Sequence, residues 1–101
     1  MIVIDVIRVT KCENSKVDLS TVKEALERRL KAPKLSITSI CWYDQEKEEV
    51  KFVLNRTIPL YRMAKIISDL DSIEHIPTKR FTWEENKEGA RRRGTIDITV
   101  S

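Results

Sequence analysis

Residues 2–31, IVIDVIRVTKCENSKVDLSTVKEALERRLK, contain a strand, a polar loop and an amphipathic helix, and this unit decides the fold. Residues 2–10 are rich in Val, Ile and Thr, which favours a β-strand. Their apolar side chains occupy both alternating sets of positions. A half-exposed edge strand would alternate more cleanly, so we expect this strand to lie inside a sheet with cover on both sides.

The helix that follows is predicted over residues 19–31. Asp18 stands where an N-cap is needed, and Pro33 ends the helical pattern. The flanking Val17 and Val22 are placed to form a hydrophobic staple across the first turn. The apolar stripe recurs every three or four positions and consists of Leu19, Val22, Leu26 and Leu30.

A second strand-helix-strand series occupies the rest of the chain. A short polar turn separates its first two strands, which predicts a hairpin. In the first of these, the apolar positions change parity near Ser39, which predicts a β-bulge. Charged residues 84–94 are predicted to form a loop. The predicted elements are strands at 35–43 and 49–55, a helix from Thr57 or Ile58 to Ser72, and strands at 78–83 and 95–100.

This order of elements predicts an α+β fold. It matches a ferredoxin-like βαββαβ two-layer sandwich with an additional C-terminal strand. Both helices have one apolar stripe, so both are expected to pack on the same face of the sheet. The 101 residues suit one domain, which we place at 1–101.

The composition excludes several classes of protein. Hydrophobic residues make up 41% and charged residues 35%, which suits a compact core under a charged surface and not a disordered linker. No secretory signal is recognisable, and the longest apolar run is far below the ~18 residues that a bilayer-spanning helix needs. These features predict a cytoplasmic protein without membrane insertion, in which Cys12 and Cys41 are free thiols.

The second strand of the fold is expected at an edge of the sheet. The C-terminal half of this strand carries apolar and aromatic residues, which suit pairing with another copy of the chain. The sheet face without helices also needs cover, which a homodimer would supply. The residues predicted at the dimer edge are Ile40, Trp42 and Tyr43.

Residues 37–76, ITSICWYDQEKEEVKFVLNRTIPLYRMAKIISDLDSIEHI, resemble the second half of an ACT-like regulatory domain. They are most similar to the C-terminal ACT-like domains of MgtC-type membrane proteins, through a hairpin, a helix and the LDSIEHI stretch before an aromatic strand. The resemblance implies a small non-enzymatic regulatory module that binds a small ligand or a protein partner as a homodimer. The loop at 12–16 lacks the Asp-x-Pro-Gly turn of amino-acid-binding ACT domains.

A basic segment near the C-terminus supports a different function. Arginine guanidinium groups match phosphate oxygens, and Gly94 would let backbone amides approach them. The alternative function is therefore binding of a nucleic acid or a phosphate by the loop at 87–94. The structural alternative is a solvated hairpin loop in which the arginines pair with nearby glutamates. The candidate phosphate ligands are Lys79, Lys87, Arg91, Arg92 and Arg93.

No catalytic or metal-binding constellation stands out in the sequence. A nucleophilic enzyme would need His75 beside Cys12 or Cys41, and no spacing ties these residues together. They also lack the spacing of metal ligands. We therefore predict no catalytic residues, no metal and no cofactor.

Overall fold

The computed structural model describes residues 2–44, 48–86 and 93–101, without the side chains at 42–44, 80 and 86. The chain alternates strands and helices in the predicted order, which confirms the α+β class. The elements are β1 (Val3–Lys11), α1 (Leu19–Leu30), β2 (Ile37–Asp44), β3 (Glu49–Pro59), α2 (Leu60–Ser72), β4 (Thr78–Asn86) and β5 (Arg93–Val100).

Within the described residues the strands form one mixed sheet in the order β2-β3-β1-β5-β4. β1 pairs antiparallel with β3 and parallel with β5, while β2 and β4 each pair antiparallel with an inner neighbour. The predicted interior position of the first strand is confirmed, as is the edge position of the second. The irregularity predicted near Ser39 is present, since the β2–β3 register shifts between Ile37 and Ser39.

The strand order differs from that of a ferredoxin-like sheet, in which the strand after the second helix pairs with the first strand. Here the C-terminal strand β5 takes that place and moves β4 to the edge. Alternate residues of β5 are fully buried, whereas β4 carries exposed charged residues. The interior position therefore goes to the strand that can bury a complete apolar face, and the edge goes to the charged one.

One hydrophobic cluster joins both helices to one face of the sheet. The strands contribute fully buried residues such as Ile7, Phe52 and Ile96, and the helices contribute Leu26 and Met63. We call this the covered face of the sheet and the opposite one the open face. Side chains alternate between these two faces along each strand.

The start of α1 is as predicted. Asp18 Oδ1 accepts hydrogen bonds from the Ser20 backbone N–H and hydroxyl, both at 2.9 Å, and these bonds lower the pKa of Asp18. Val17 packs against the core in which Val22 is buried. The helix ends one residue earlier than predicted, at Leu30, whose carbonyl accepts the Leu35 N–H at 2.9 Å. Lys34 adopts a left-handed conformation (φ 58°), where glycine is the usual residue.

The predicted start of α2 at Thr57 or Ile58 is wrong. Ile58 instead continues β3, pairs with Ile4 and is 1% exposed. Pro59 is the N-cap, and the Leu60 N–H donates to the Ile2 carbonyl at 3.0 Å. The segment therefore belongs to the sheet, where Ile58 is buried beside Ile4. Neither α1 nor α2, the helices of the described ranges, has the length and apolar character needed to cross a bilayer.

Candidate functional site

The first candidate surface is the β2 edge, where the sequence predicts a dimer contact. Ile40 lies directly opposite Phe52 and is 42% exposed. A mainly apolar groove of about 330 Å³ lies between this edge and the start of α1, lined by Leu19 and Val50 among others. Trp42 and Tyr43 belong to the same strand, but their side chains lie outside the described residues.

The β4 edge is a second exposed apolar surface that the sequence reasoning missed. Phe81 and Trp83 lie opposite Ile98 and Ile96 of β5, so both are on the covered face. Each is 39% exposed at the outer side of the sheet. The signal that could have found this edge is a strand with aromatic residues in its centre and charges at both ends.

The candidate phosphate ligands do not come together within the described residues. Thr78 pairs with Val100 at one end of the β4–β5 hairpin, and Asn86 pairs with Arg93 at the other. Lys79 and Arg93 therefore lie at opposite ends, separated by roughly 20 Å at ~3.3 Å per residue. Lys87, Arg91 and Arg92 lie outside the described residues. The predicted loop at 84–94 is wrong at both ends, since β4 extends to Asn86 and β5 begins at Arg93.

Gly94 has a packing role in the sheet instead of the predicted role in phosphate binding. It is buried in β5 beside β1 and β4. A Cβ atom there would lie 2.8 Å from the Glu84 carbonyl oxygen and 3.1 Å from Ile4 Cδ1. The absence of a side chain lets neighbouring backbone and side-chain atoms approach closely, and the residue is part of a strand instead of a phosphate-binding loop.

Arg93 lies at a polar cleft that forms where the sheet is irregular. The register of β1 shifts between Ile4 and Val6, and β3 leaves the β1 ladder between Val53 and Ile58. This irregularity opens a cleft of about 500 Å³ lined by Asp5, residues 54–57 and Arg93. No local pattern in the sequence indicates this site, because the cleft arises from the pairing of strands distant in sequence.

Two arginines supply hydrogen-bond donors at this cleft. Arg93 Nη1 lies 3.6 Å from Asp5 Oδ2. Arg56 Nη2 donates to the Lys34 carbonyl at 2.5 Å and to the Pro33 carbonyl at 3.4 Å. Each guanidinium group has five N–H donors, so these contacts leave donor capacity for an anion.

The open face, for which the sequence predicts cover by a second copy, carries paired charged side chains. Arg8 Nε lies 2.6 Å from Asp97 Oδ1 and 3.8 Å from Glu49 Oε1. The side chains of Arg8, Asp97 and Glu49 are 25%, 29% and 15% exposed, so neighbouring strands shield them considerably. Desolvation raises the pKa of Asp97 above its usual value, and the Arg8 charge opposes this shift. These contacts pair the charged side chains of three neighbouring strands.

The loop after β1 borders a further polar cleft, of about 460 Å³. It is lined by residues 10–15 and by Glu48 from the start of β3. Lys11 Nζ and Glu48 Oε2 form an ion pair of 2.5 Å beside this cleft. Asn14 adopts a left-handed conformation here, so the loop turns without the glycine of an Asp-x-Pro-Gly motif.

The residues considered for catalysis and metal binding occupy separate elements. Cys12 follows β1, Cys41 lies on β2, and the exposed His75 forms the turn after α2 with φ 56°. Both cysteines are free thiols, as predicted. Across the described ranges no group of three or more His, Cys, Asp or Glu side chains is arranged to hold a metal ion.

Comparison with known proteins found no matching family model, no matching curated protein and no matching solved structure.

Proposed function

We propose that the chain is a small non-enzymatic regulatory or interaction module that acts as a homodimer joined at an edge of its sheet. The observation that carries this proposal is exposed apolar surface at both outer strands: Ile40 on β2, and Phe81 and Trp83 on β4. An edge strand also presents unpaired backbone groups that a second strand can bind. The sequence favours β2 as this edge, through Ile40, Trp42 and Tyr43.

The resemblance to ACT-like domains adds a role for the homodimer. It implies binding of a small ligand or a protein partner, without catalysis and without a cofactor. The β1-α1-β2-β3-α2 series supports a relation to the ferredoxin-like fold, with β5 inserted into the sheet. We place the protein in the cytoplasm as part of the same proposal.

Sedimentation equilibrium across a wide concentration range tests the homodimer. We expect a reversible monomer–dimer equilibrium at micromolar concentrations. A native mass spectrum of the same sample would also detect a small ligand that remains bound. A wild-type protein that stays monomeric at every concentration would contradict the proposal.

The alternative function is binding of a nucleic acid or a phosphate at the cleft that contains Arg93. The observation that favours it is the presence of Arg56 and Arg93 at one cleft, with Arg91 and Arg92 adjacent in sequence. Clustered phosphate contacts predict binding that weakens steeply as salt increases.

Filter binding with RNA and DNA at two salt concentrations tests this alternative. Replacing Arg91, Arg92 and Arg93 together by Ala should abolish most of the low-salt affinity. Lys79→Ala is the matched control, because Lys79 lies at the opposite end of the hairpin and should leave binding at the cleft unchanged. Absence of affinity at low salt, or equal affinity of the triple variant and the wild type, would exclude this function.

A further inference from the structure

The β4 edge has a charge pattern that fits a second copy of itself. The strand covers residues 78–86, TKRFTWEEN, and its midpoint is Thr82. Two basic residues precede the aromatic centre and two acidic residues follow it. The order of residues is Lys79, Arg80, Phe81, Thr82, Trp83, Glu84 and Glu85.

Antiparallel pairing of two β4 strands about Thr82 would place each charged residue of this stretch opposite a residue of the other charge, and each aromatic residue opposite an aromatic one. Phe81 of each copy would lie opposite Trp83 of the second copy. Lys79 would lie opposite Glu85, and Arg80 opposite Glu84. A two-fold axis through Thr82 would repeat every pair, so each dimer would contain two aromatic contacts and four pairs of opposite charge.

The faces of the monomer are compatible with this pairing. Residues directly opposite one another in antiparallel strands share a face of the sheet. Phe81 and Trp83 lie on the same covered face, opposite Ile98 and Ile96, and both are exposed. The register irregularity of β4 lies at Lys79, between Thr78 and Arg80, so the stretch from Arg80 to Asn86 is regularly paired with β5.

The β2 edge lacks an equivalent pattern. β2, ITSICWYD, carries one acidic residue at its end, Asp44, and no basic residue, so no ion pair within a β2–β2 contact would select one register of self-pairing over another. Charge complementarity therefore favours β4 as the contact between copies.

We propose that two copies of the chain pair antiparallel through β4, with Thr82 on the two-fold axis, to form one continuous ten-stranded sheet. This inference rests on the proposed homodimer, but it moves the contact from the predicted β2 edge to the opposite side of the sheet. The β2 edge then remains accessible in the dimer.

Charge-exchange variants test the proposed pairing. The acidic variant carries Lys79→Glu and Arg80→Glu, and the basic variant carries Glu84→Lys and Glu85→Lys. Each alone places like charges opposite one another four times, so we expect homodimer affinity to fall about a hundredfold. An equimolar mixture restores opposite charges at all four positions and should form a heterodimer within a few-fold of wild-type affinity.

The mixture distinguishes two roles of these charges: pairing one copy with another, and preventing other strands from pairing with this edge. Charged residues also prevent unwanted pairing of edge strands. If that were their whole role, the two variants mixed together would associate no better than either alone. That result would overturn the inference.

Thr82→Lys provides a second test that spares the charge pattern. Thr82 is exposed and lies opposite Asp97 within the monomer, so a lysine there is favourable for the fold. In the dimer, two lysines would meet at the two-fold axis and lower the affinity about tenfold. Thr82→Ser is the matched control and should dimerise normally. Circular dichroism and thermal unfolding would verify that each variant is folded.

Ile40→Lys separates this inference from the proposed function. Dimerisation that survives Ile40→Lys and responds to the β4 variants supports the β4 contact. Dimerisation that is lost with Ile40→Lys and is indifferent to the β4 variants overturns the inference but supports a homodimer at β2. A wild-type protein that is monomeric throughout overturns both.

Discussion

The covered and open faces of the sheet are built from alternating residues of the same strands, yet they are stabilised differently. Phe52 on the covered face is 1% exposed within the apolar core. On the open face, Arg8 contacts Asp97 and Glu49 instead. The covered face depends on close packing, whereas the open face holds paired but partly desolvated charges. Stability should therefore respond strongly to lost volume on one face and to pH on the other.

The largest effect is expected from Phe52→Ala. Removing a fully buried aromatic ring leaves a cavity, so the free energy of unfolding should fall by about 3–5 kcal/mol. Val53→Ala is the neighbouring control on the open face and should cost less than about 1 kcal/mol. Urea denaturation of both variants measures the difference. Equal losses would show that the two faces are not distinguished by packing.

An intermediate effect is expected from Gly94→Ala, which adds volume to the covered face. The new methyl group would meet the Glu84 carbonyl and Ile4, whose positions are set by adjacent strands. Such overpacking should destabilise the protein by about 1–3 kcal/mol. Thr95→Ala, the next residue on the open face, is the control for thermal unfolding. A Gly94→Ala variant as stable as the wild type would refute this account of Gly94.

The smallest effect is expected from pH, and its sign should differ between two carboxylates. The pKa of Asp97 is raised by desolvation, so the folded protein takes up its proton before the unfolded chain does. Its contribution to stability therefore becomes more favourable as pH falls through that raised pKa. The pKa of Glu74 is lowered, chiefly by the hydrogen bond from Arg28, whose Nη2 lies 2.6 Å from Glu74 Oε1. Its contribution is present above its usual pKa and is lost as pH falls.

Urea denaturation from neutral pH down to about pH 4 checks these signs. Relative to Asp97→Asn, the wild type should gain stability as the solution is acidified. Relative to Glu74→Gln, the wild type should lose stability over the same range. If both comparisons moved in the same direction, the assignment of these two pKa shifts would be wrong.

Local signals in the sequence predicted the elements and several of their details. The cap at Asp18 depends on a side chain two residues from its partner, and the apolar stripe of α1 is a property of one segment. The bulge near Ser39 also follows from a local pattern, whereas the edge position of β2 was predicted from the order of elements along the chain. The local predictions are confirmed because short-range hydrogen bonding and periodic burial determine them.

Several other features depend on contacts between segments distant in sequence. Ile58 joins β3 because it packs opposite Ile4, although its segment also fits the start of a helix. Arg56 and Arg93 line one cleft because the pairing of β1 with β3 is irregular beside both residues. Lys34 and His75 turn the chain in left-handed conformations without the usual glycine, and local propensity does not predict them.

The sequence by itself determined which segments are strands and helices, since the spacing of apolar residues selects the period that buries them. The tertiary structure decided which strands are neighbours. An alternating strand such as β5 can bury its apolar face at an edge or in the interior, and its sequence suits both. β5 occupies the interior position because β1 and the helices together bury Ile96, Ile98 and Val100. β4 lies at the edge, where its charged residues remain in contact with water.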